Sequence, residues 1–522
     1  MNNTTQPGAA PTGPAATSNA PAVKSVLRMG VFTLAMINVS AIVSLRGMPA
    51  ESTYGLSSVF YYIFAAVFFL VPVSLVAAEL TTGWPQKGGV YRWVGEAFGK
   101  KWGFLAIWLQ WIESTIWFPT VLTFAAVSLA FMGPGQRWDE ALAANKWYVL
   151  IVVLCVYWAA TLLNLRGMKT SAGVTKWGTI IGTIVPGAIL ILLGLGYWAG
   201  GNPILLDMSW DKLVPDMSNF NNLVLAASIF LFYAGMEMSA VHVKDVNNPG
   251  RNYPLAILIS AIITVLIFVL GTLAIGFIIP NSQINLVQSL LITYDSYFSF
   301  FGLGWMNWIL ALALAVGVLA QVTAWVGGPS KGLYQVGLAG NLPPVMQKRN
   351  KNNVQMGILL IQGGIVTLLS IMFVIMPSVQ SAYQIISQLT IILYLIMYML
   401  MFASGIYLRY REPNTPRTFR IPGGRTFGMW VVGGLGLLAS LAAFLVSFIP
   451  PNQITVGSST MYILLLVAGT FIFAGIPFII HAMAKPSWKR PVDPEDAFEP
   501  FGWEKNNDSH STATPSHTIS HE

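Results

Sequence analysis

"LFYAGMEMSAVHVKDVNNPGRNYPLAI" runs from Leu231 to Ile257. Its first part is apolar enough to lie in hydrocarbon, yet it holds Gly235 and the carboxylate of Glu237, with His242 a little further on. A polar turn, Asn247-Asn248-Pro249-Gly250-Arg251, comes next, and then the chain turns apolar again. A carboxylate at the centre of a bilayer costs about 2.5 kcal/mol or more, so such a residue faces a cavity or the interior of a helix bundle. His242 lies beyond the apolar part and reads as a cap or loop contact.

The rest of the chain supplies the bilayer. Of 522 residues, 55% are hydrophobic and 9% charged, and the mean hydropathy is +0.64. That composition excludes a soluble globular protein and predicts an all-α polytopic membrane protein. Twelve apolar spans are expected, at 29–48, 56–78, 102–132, 146–164, 175–199, 221–240, 254–279, 303–327, 354–376, 382–408, 427–449 and 460–484. Each approaches or exceeds the ~20 residues that cross a hydrocarbon core. Basic residues divide 24 to 4 between the two sides of this arrangement. The richer side carries both tails, so the termini are expected in the cytoplasm and the protein in the inner membrane. The formal charge of +8 is thereby an orientation signal, and no nucleic acid partner is expected. Residues 1–24 read as a disordered tail, 25–484 as the membrane domain and 485–522 as a second cytoplasmic tail. The single cysteine, Cys155, excludes an intrachain disulfide and is expected to pack within its helix.

Two spans look interrupted. The first, "MINVSAIVSLRGMPA" (Met36–Ala50), has Asn38, Ser40, Ser44, Arg46, Gly47 and Pro49 in or beside an apolar run; the sixth has Phe232-Tyr233-Ala234-Gly235 ahead of Glu237. Paired interruptions five helices apart point to an inverted-repeat transporter with a site at the membrane centre. Half-helix ends there would meet a zwitterion, with the carboxylate at an N-terminus and the ammonium at carbonyl oxygens. Two other acids stand apart from the loops. Glu113 lies within the third span, and Glu79 at the end of the second reads as a structural tie. No HExxH pair or buried Ser/His/Asp arrangement suggests an enzyme, and neither cofactor nor metal is expected.

The sixth-span motif and "NNPGRNYPLAI" resemble the amino acid–polyamine–organocation superfamily. "AAELTTGWPQKGGVYRWVGEAFGKKWGF" (Ala77–Phe104), "NLRGMK" (Asn164–Lys169), "AWVGGPSKGLYQVGLAGNLPP" (Ala324–Pro344) and "RTFRIPGG" (Arg417–Gly424) fit it in order. "HVKDVNNPGRNYPLA", "VGGPSKGLY" and "TFRIPGG" are most similar to the glutamate/γ-aminobutyrate antiporter branch. The resemblance implies a five-plus-five inverted repeat, helices 1–5 and 6–10, with helices 11 and 12 outside it. It implies substrate contacts from Ser40, Val43 and Ser44 at the first break and from Phe232, Tyr233, Ala234 and Gly235 at the sixth. Trp325 would cover the substrate, Tyr394 and Tyr398 would line the pathway, and Glu237 would act in proton coupling or gating. Glu113 is added as a candidate lining acid on the residue reading alone.

The chain departs from the family pattern in two places. "AIVSLRG" replaces the Gly-Ser-Gly of many first helices, and Gly182 stands near the place of a fifth-helix lysine found in some relatives. The second departure favours exchange over proton symport. Arg46 is expected to snorkel to the headgroups rather than to attract a substrate carboxylate. His510, His517 and His521 in the last tail would suit a pH-responsive plug, but a solvated tail is the expected reading. The expected function is amino acid antiport by alternating access, glutamate-like inward against γ-aminobutyrate-like outward, with a proton-coupled importer as the alternative. The expected partners are small-molecule amino acids and membrane lipid, with a homodimer left open.

Overall fold

The computed structural model describes residues 30–133, 135–215, 227–239, 246–451, 458–491 and 497–505. It is all-α. In chain order the helices are α1 (Val31–Ile42), α2 (Met48–Ser52), α3 (Ser57–Ala65), α4 (Val71–Gly83), α5 (Val90–Phe98), α6 (Lys100–Ala130) and α7 (Gln136–Ala143). They continue as α8 (Lys146–Leu165), α9 (Met168–Thr179), α10 (Val185–Ala199), α11 (Ser228–Tyr233), α12 (Met236–Ser239), α13 (Pro249–Ile278) and α14 (Ser289–Phe300). The last six are α15 (Asn307–Leu338), α16 (Met356–Ser370), α17 (Met372–Ile375), α18 (Val379–Arg411), α19 (Phe427–Val446) and α20 (Ser459–Ala482).

Among the described residues, ten stretches are long and apolar enough to cross a membrane. They coincide with ten of the twelve expected spans. The other two, the first and the sixth, are the ones whose sequence looked interrupted, and both are broken. Local chemistry sets several ends. Asn145 accepts from the amides of Trp147 and Tyr148 to start α8, and Ser378 and Ser458 cap α18 and α20 in the same way. Wide π turns at Ala66–Leu70 and Ile180–Ile184 join α3 to α4 and α9 to α10. Each surrounds the carbonyl that Pro72 or Pro186, lacking an N–H, leaves without its helical donor.

The bundle is graded from centre to rim. The apolar stretch of α6 is 94% buried, whereas those of α19 and α20 are 28% and 22% buried. A helix apolar all round belongs in the interior, and α6 packs there against α15 and α18. Close approach needs small residues. A Cβ on Gly182 would overlap the backbone of Gly317 in α15, so this position has no room for a lysine side chain.

Three outcomes differ from expectation. Cys155 is exposed on the outside of α8 rather than packed, because it sits on a face that the bundle leaves uncovered. The short helices α5, α7 and α14 lie outside the spans, and hydropathy alone gave no sign of them. Residues 497–505 are docked where a solvated tail was expected. Arg92 on α5 donates to the carbonyls of Glu499 (2.6 Å) and Pro500 (3.0 Å), Trp503 Nε1 donates to Gly95 O (3.1 Å), and Phe501 is fully buried. His242, His510, His517 and His521 lie outside the described residues.

Candidate functional site

The two breaks meet. After α1, Val43 and Ser44 are extended, and a 3-10 turn, Leu45–Gly47, leads into α2. Pro49 fits the first turn of α2, where a missing N–H costs nothing. In the sixth helix, Ala234 and Gly235 separate α11 from α12, and Gly235 has φ 107°, a conformation that suits glycine. Gly47 is packed on the ring of Phe232, where a Cβ would overlap it. The small residue of one break thus admits the aromatic residue of the other.

Between them lies a cavity of about 30 Å³, lined by Ile42, Ser44, Arg46, Glu113, Trp117, Phe232, Ala234, Gln321, Trp325 and Tyr394. That is room for a water or two, so an amino acid enters only when the walls part. Trp325 and Trp117 lie with ring centroids 5.6 Å apart, and the Trp325 indole lies against Gly235. Arg46 is 4% exposed, so it does not snorkel. Its Nη1 donates to the Tyr383 hydroxyl at 2.8 Å, and its guanidinium carbon is 5.3 Å from the Trp117 ring centroid. The break turns this residue inward, and the expectation from its place near the span's end fails for that reason.

Glu237 stands behind the cavity wall. It accepts from Gln110 Nε2 at 2.9 Å and from the Tyr394 and Tyr398 hydroxyls at 2.6 Å each. Tyr398 also accepts from the Gly235 amide at 2.9 Å. Its own proton is therefore directed at Glu237, and the carboxylate is linked to the backbone of the break. The two tyrosine rings stack at 4.7 Å, as expected for residues one turn apart on a helix.

Six of the expected site residues line the cavity: Ser44, Glu113, Phe232, Ala234, Trp325 and Tyr394. Gly235, Tyr398 and Glu237 form the layer behind it. Val43 is buried at the break but outside the lining. Tyr233 points elsewhere, its hydroxyl donating to the Tyr62 carbonyl at 3.1 Å. Ser40 lies in α1, and its side chain is outside the described part.

Sequence reading missed Ile42, Trp117, Gln321, Gln110 and Tyr383. Some signals were present. Gln110 is three residues before Glu113 on one helix face, Gln321 is four before Trp325, and Tyr383 is eleven before Tyr394, three turns along the same stripe. Glu79 is indeed a tie: Arg409 Nη2 donates to it at 2.6 Å and the Ile421 amide at 2.8 Å, while Arg417 Nη1 lies at 3.3 Å.

A second cavity, of about 1140 Å³, opens at the end of the bundle that carries Lys176, Lys331 and residues 352–355. Thr323 and Ala324, next to Trp325, are among its walls.

Known proteins are similar to this chain in sequence along most of its length. The family model described as amino acid permease matches residues 29–473. A protein of Legionella pneumophila, named as the uncharacterized transporter lpg1691, is 40% identical over 86% of this chain and 96% of its own. A glutamate/gamma-aminobutyrate antiporter of Lactococcus lactis subsp. lactis is 31% identical over 87% of this chain and 90% of its own. A probable agmatine/putrescine antiporter from the same organism is 25% identical over 71% and 77%. Two broken helices around a small cavity with charged side chains in its wall, in a chain whose residues 29–473 match a transporter family, have one reading: this multi-pass membrane protein belongs to the amino acid permease family.

Proposed function

We propose that the protein is an amino acid antiporter of the cytoplasmic membrane. It takes in an external, glutamate-like amino acid and releases an internal amino acid or a decarboxylated, γ-aminobutyrate-like product. The observation that carries this reading is the cavity shared by the two breaks, with Phe232 and Ala234 on one side and Ser44 and Arg46 on the other. Broken helices that present backbone and side-chain polarity at the membrane centre are how alternating-access carriers hold a small charged solute. The name of the Lactococcus lactis relative supports the substrate pair.

In this reading both termini are cytoplasmic, helices 1–5 and 6–10 form an inverted repeat, and the 1140 Å³ cavity is the cytoplasmic mouth. The cavity wall closes over substrate on one side before it opens on the other. Trp325, lying against Gly235, and Tyr394, bonded to Glu237, move with the sixth-helix break. Glu237 couples that break to α18 and α6 through its three donors.

The test is counterflow in proteoliposomes. Labelled glutamate should enter vesicles loaded with γ-aminobutyrate or glutamate many times faster than empty vesicles. Equal entry into empty vesicles under a pH gradient would replace exchange with proton-driven import.

A further inference from the structure

Arg46 and Glu113 put a guanidinium and a carboxyl group on the wall of one small cavity from two different elements. Arg46 comes from the turn after the first break and Glu113 from the middle of α6. They are 4% and 2% exposed. Neither is paired with the other, and each keeps a polar atom without a partner: Nε of Arg46 and Oε1 of Glu113. Burying a charged group is costly unless it is matched. Here the guanidinium is partly held by Tyr383 and Trp117, and the carboxylate faces a space bounded by aromatic rings.

We propose that Arg46 and Glu113 form a two-point receptor for a zwitterion, in which Arg46 takes the carboxylate and Glu113 the ammonium. Trp117, Trp325 and Phe232 enclose the aliphatic spacer. The inference rests on the reading above only in taking this cavity as the substrate site. The chemistry fixes the selectivity. A guanidinium presents a planar fork that suits a carboxylate, and a buried acid discriminates for a cation. A molecule with only a carboxylate leaves Glu113 unmatched, and one with only an amine leaves Arg46 unmatched. A diamine sets a cation against Arg46. Each mismatch acts by repulsion or desolvation as well as by lost attraction.

Equilibrium binding to the purified full-length protein tests this with γ-aminobutyrate, butyrate and butylamine as probes. The zwitterion should bind about tenfold or more tightly than either single-charge analogue, a difference of about 1.4 kcal/mol or more. Arg46→Gln should erase the advantage over butylamine and keep the advantage over butyrate. Glu113→Gln should do the reverse. Arg46→Lys, which keeps the charge and loses the fork, should retain part of the preference.

Tyr383→Phe removes one hydroxyl that holds Arg46 but keeps the guanidinium group, and should narrow the preference over butylamine without erasing it, leaving the preference over butyrate. If Tyr383→Phe erases the carboxylate preference as Arg46→Gln does, Arg46 is a latch between helices and the proposal falls. It falls without any variant if the wild-type protein fails to bind γ-aminobutyrate more tightly than both analogues. Counterflow separates this from the exchange reading. Wild-type vesicles that show the two-point preference but no exchange would overturn antiport alone, and exchange without the preference would overturn the receptor alone.

Discussion

At the scale of single residues, Tyr398 shows how the break is held. Its hydroxyl oxygen accepts from Gly235 and its proton goes to Glu237, so one side chain ties backbone, acid and α18 together. Glu237→Gln replaces an acceptor with a group that needs acceptors, and Tyr398 has already committed its oxygen. We expect this change to cost about 1.5–3 kcal/mol, the range for hydrogen bonds to charged groups, seen as a lower Tm and slower counterflow. Gly235→Ala should be at least as damaging. The φ of 107° suits only glycine, and the new methyl would lie 3.1 Å from the Trp325 ring. Strain of about 1–3 kcal/mol should appear as reduced exchange with a lowered Tm, whereas a variant with normal exchange would show that the turn can rearrange.

At the scale of elements, two polar clusters organise the end of the bundle that carries the basic loops. Glu79 at the end of α4 is 1% exposed and joins Arg409 of α18 to the segment before α19. Removing one member of a buried pair leaves the other charge uncompensated, at about 3–5 kcal/mol. Arg409→Gln should therefore lower the melting temperature strongly, and a small change would mean that water reaches the cluster.

The second cluster is the cradle on α5 for residues 497–505. Glu96 accepts from the Gly502 amide at 3.0 Å and lies 3.1 Å from Arg92 Nε. Burial raises the Glu96 carboxyl above its usual value of 4.5, against the opposing pull of Arg92. A group whose folded value is raised contributes stability that is complete below 4.5 and is lost as pH rises through the raised value. Acid acting on Glu96 therefore does not release the segment. The protection factor of the Gly502 amide, its exchange rate corrected for the intrinsic base-catalysed rate at each pH, should be as high or higher near pH 5 than at neutral pH, and a lower protection factor in acid would move the pH response to another group. The docking itself was invisible in the sequence, because "FEPFGWEK" has too few apolar residues to be told from solvated chain until α5 supplies the matching surface.

At the scale of the whole molecule, a large cavity lies at one end of the bundle and only a small one lies at the two breaks. The large cavity lies beside Lys176 and Lys331, and the small one holds Arg46, which donates to Tyr383. This asymmetry predicts the labelling of a single-cysteine protein. Lys176→Cys in a Cys155→Ser background should react with a membrane-impermeant thiol reagent from the cytoplasmic side, and an excess of external substrate should slow the reaction. Labelling only from the outside would invert the orientation that the 24 to 4 basic split implies.

The sequence alone determined that the chain is a membrane bundle and where its regular spans lie. It also determined which two of them break, because hydrophobic length and misplaced Gly, Pro and Ser residues act locally. Tertiary structure decided which residues share a space. Phe232 fills the gap left by Gly47, Gln110 reaches Glu237 from another helix, and Arg46 turns inward onto Trp117. Such meetings depend on how helices far apart in sequence rotate and pack against one another, and no local pattern carries that information.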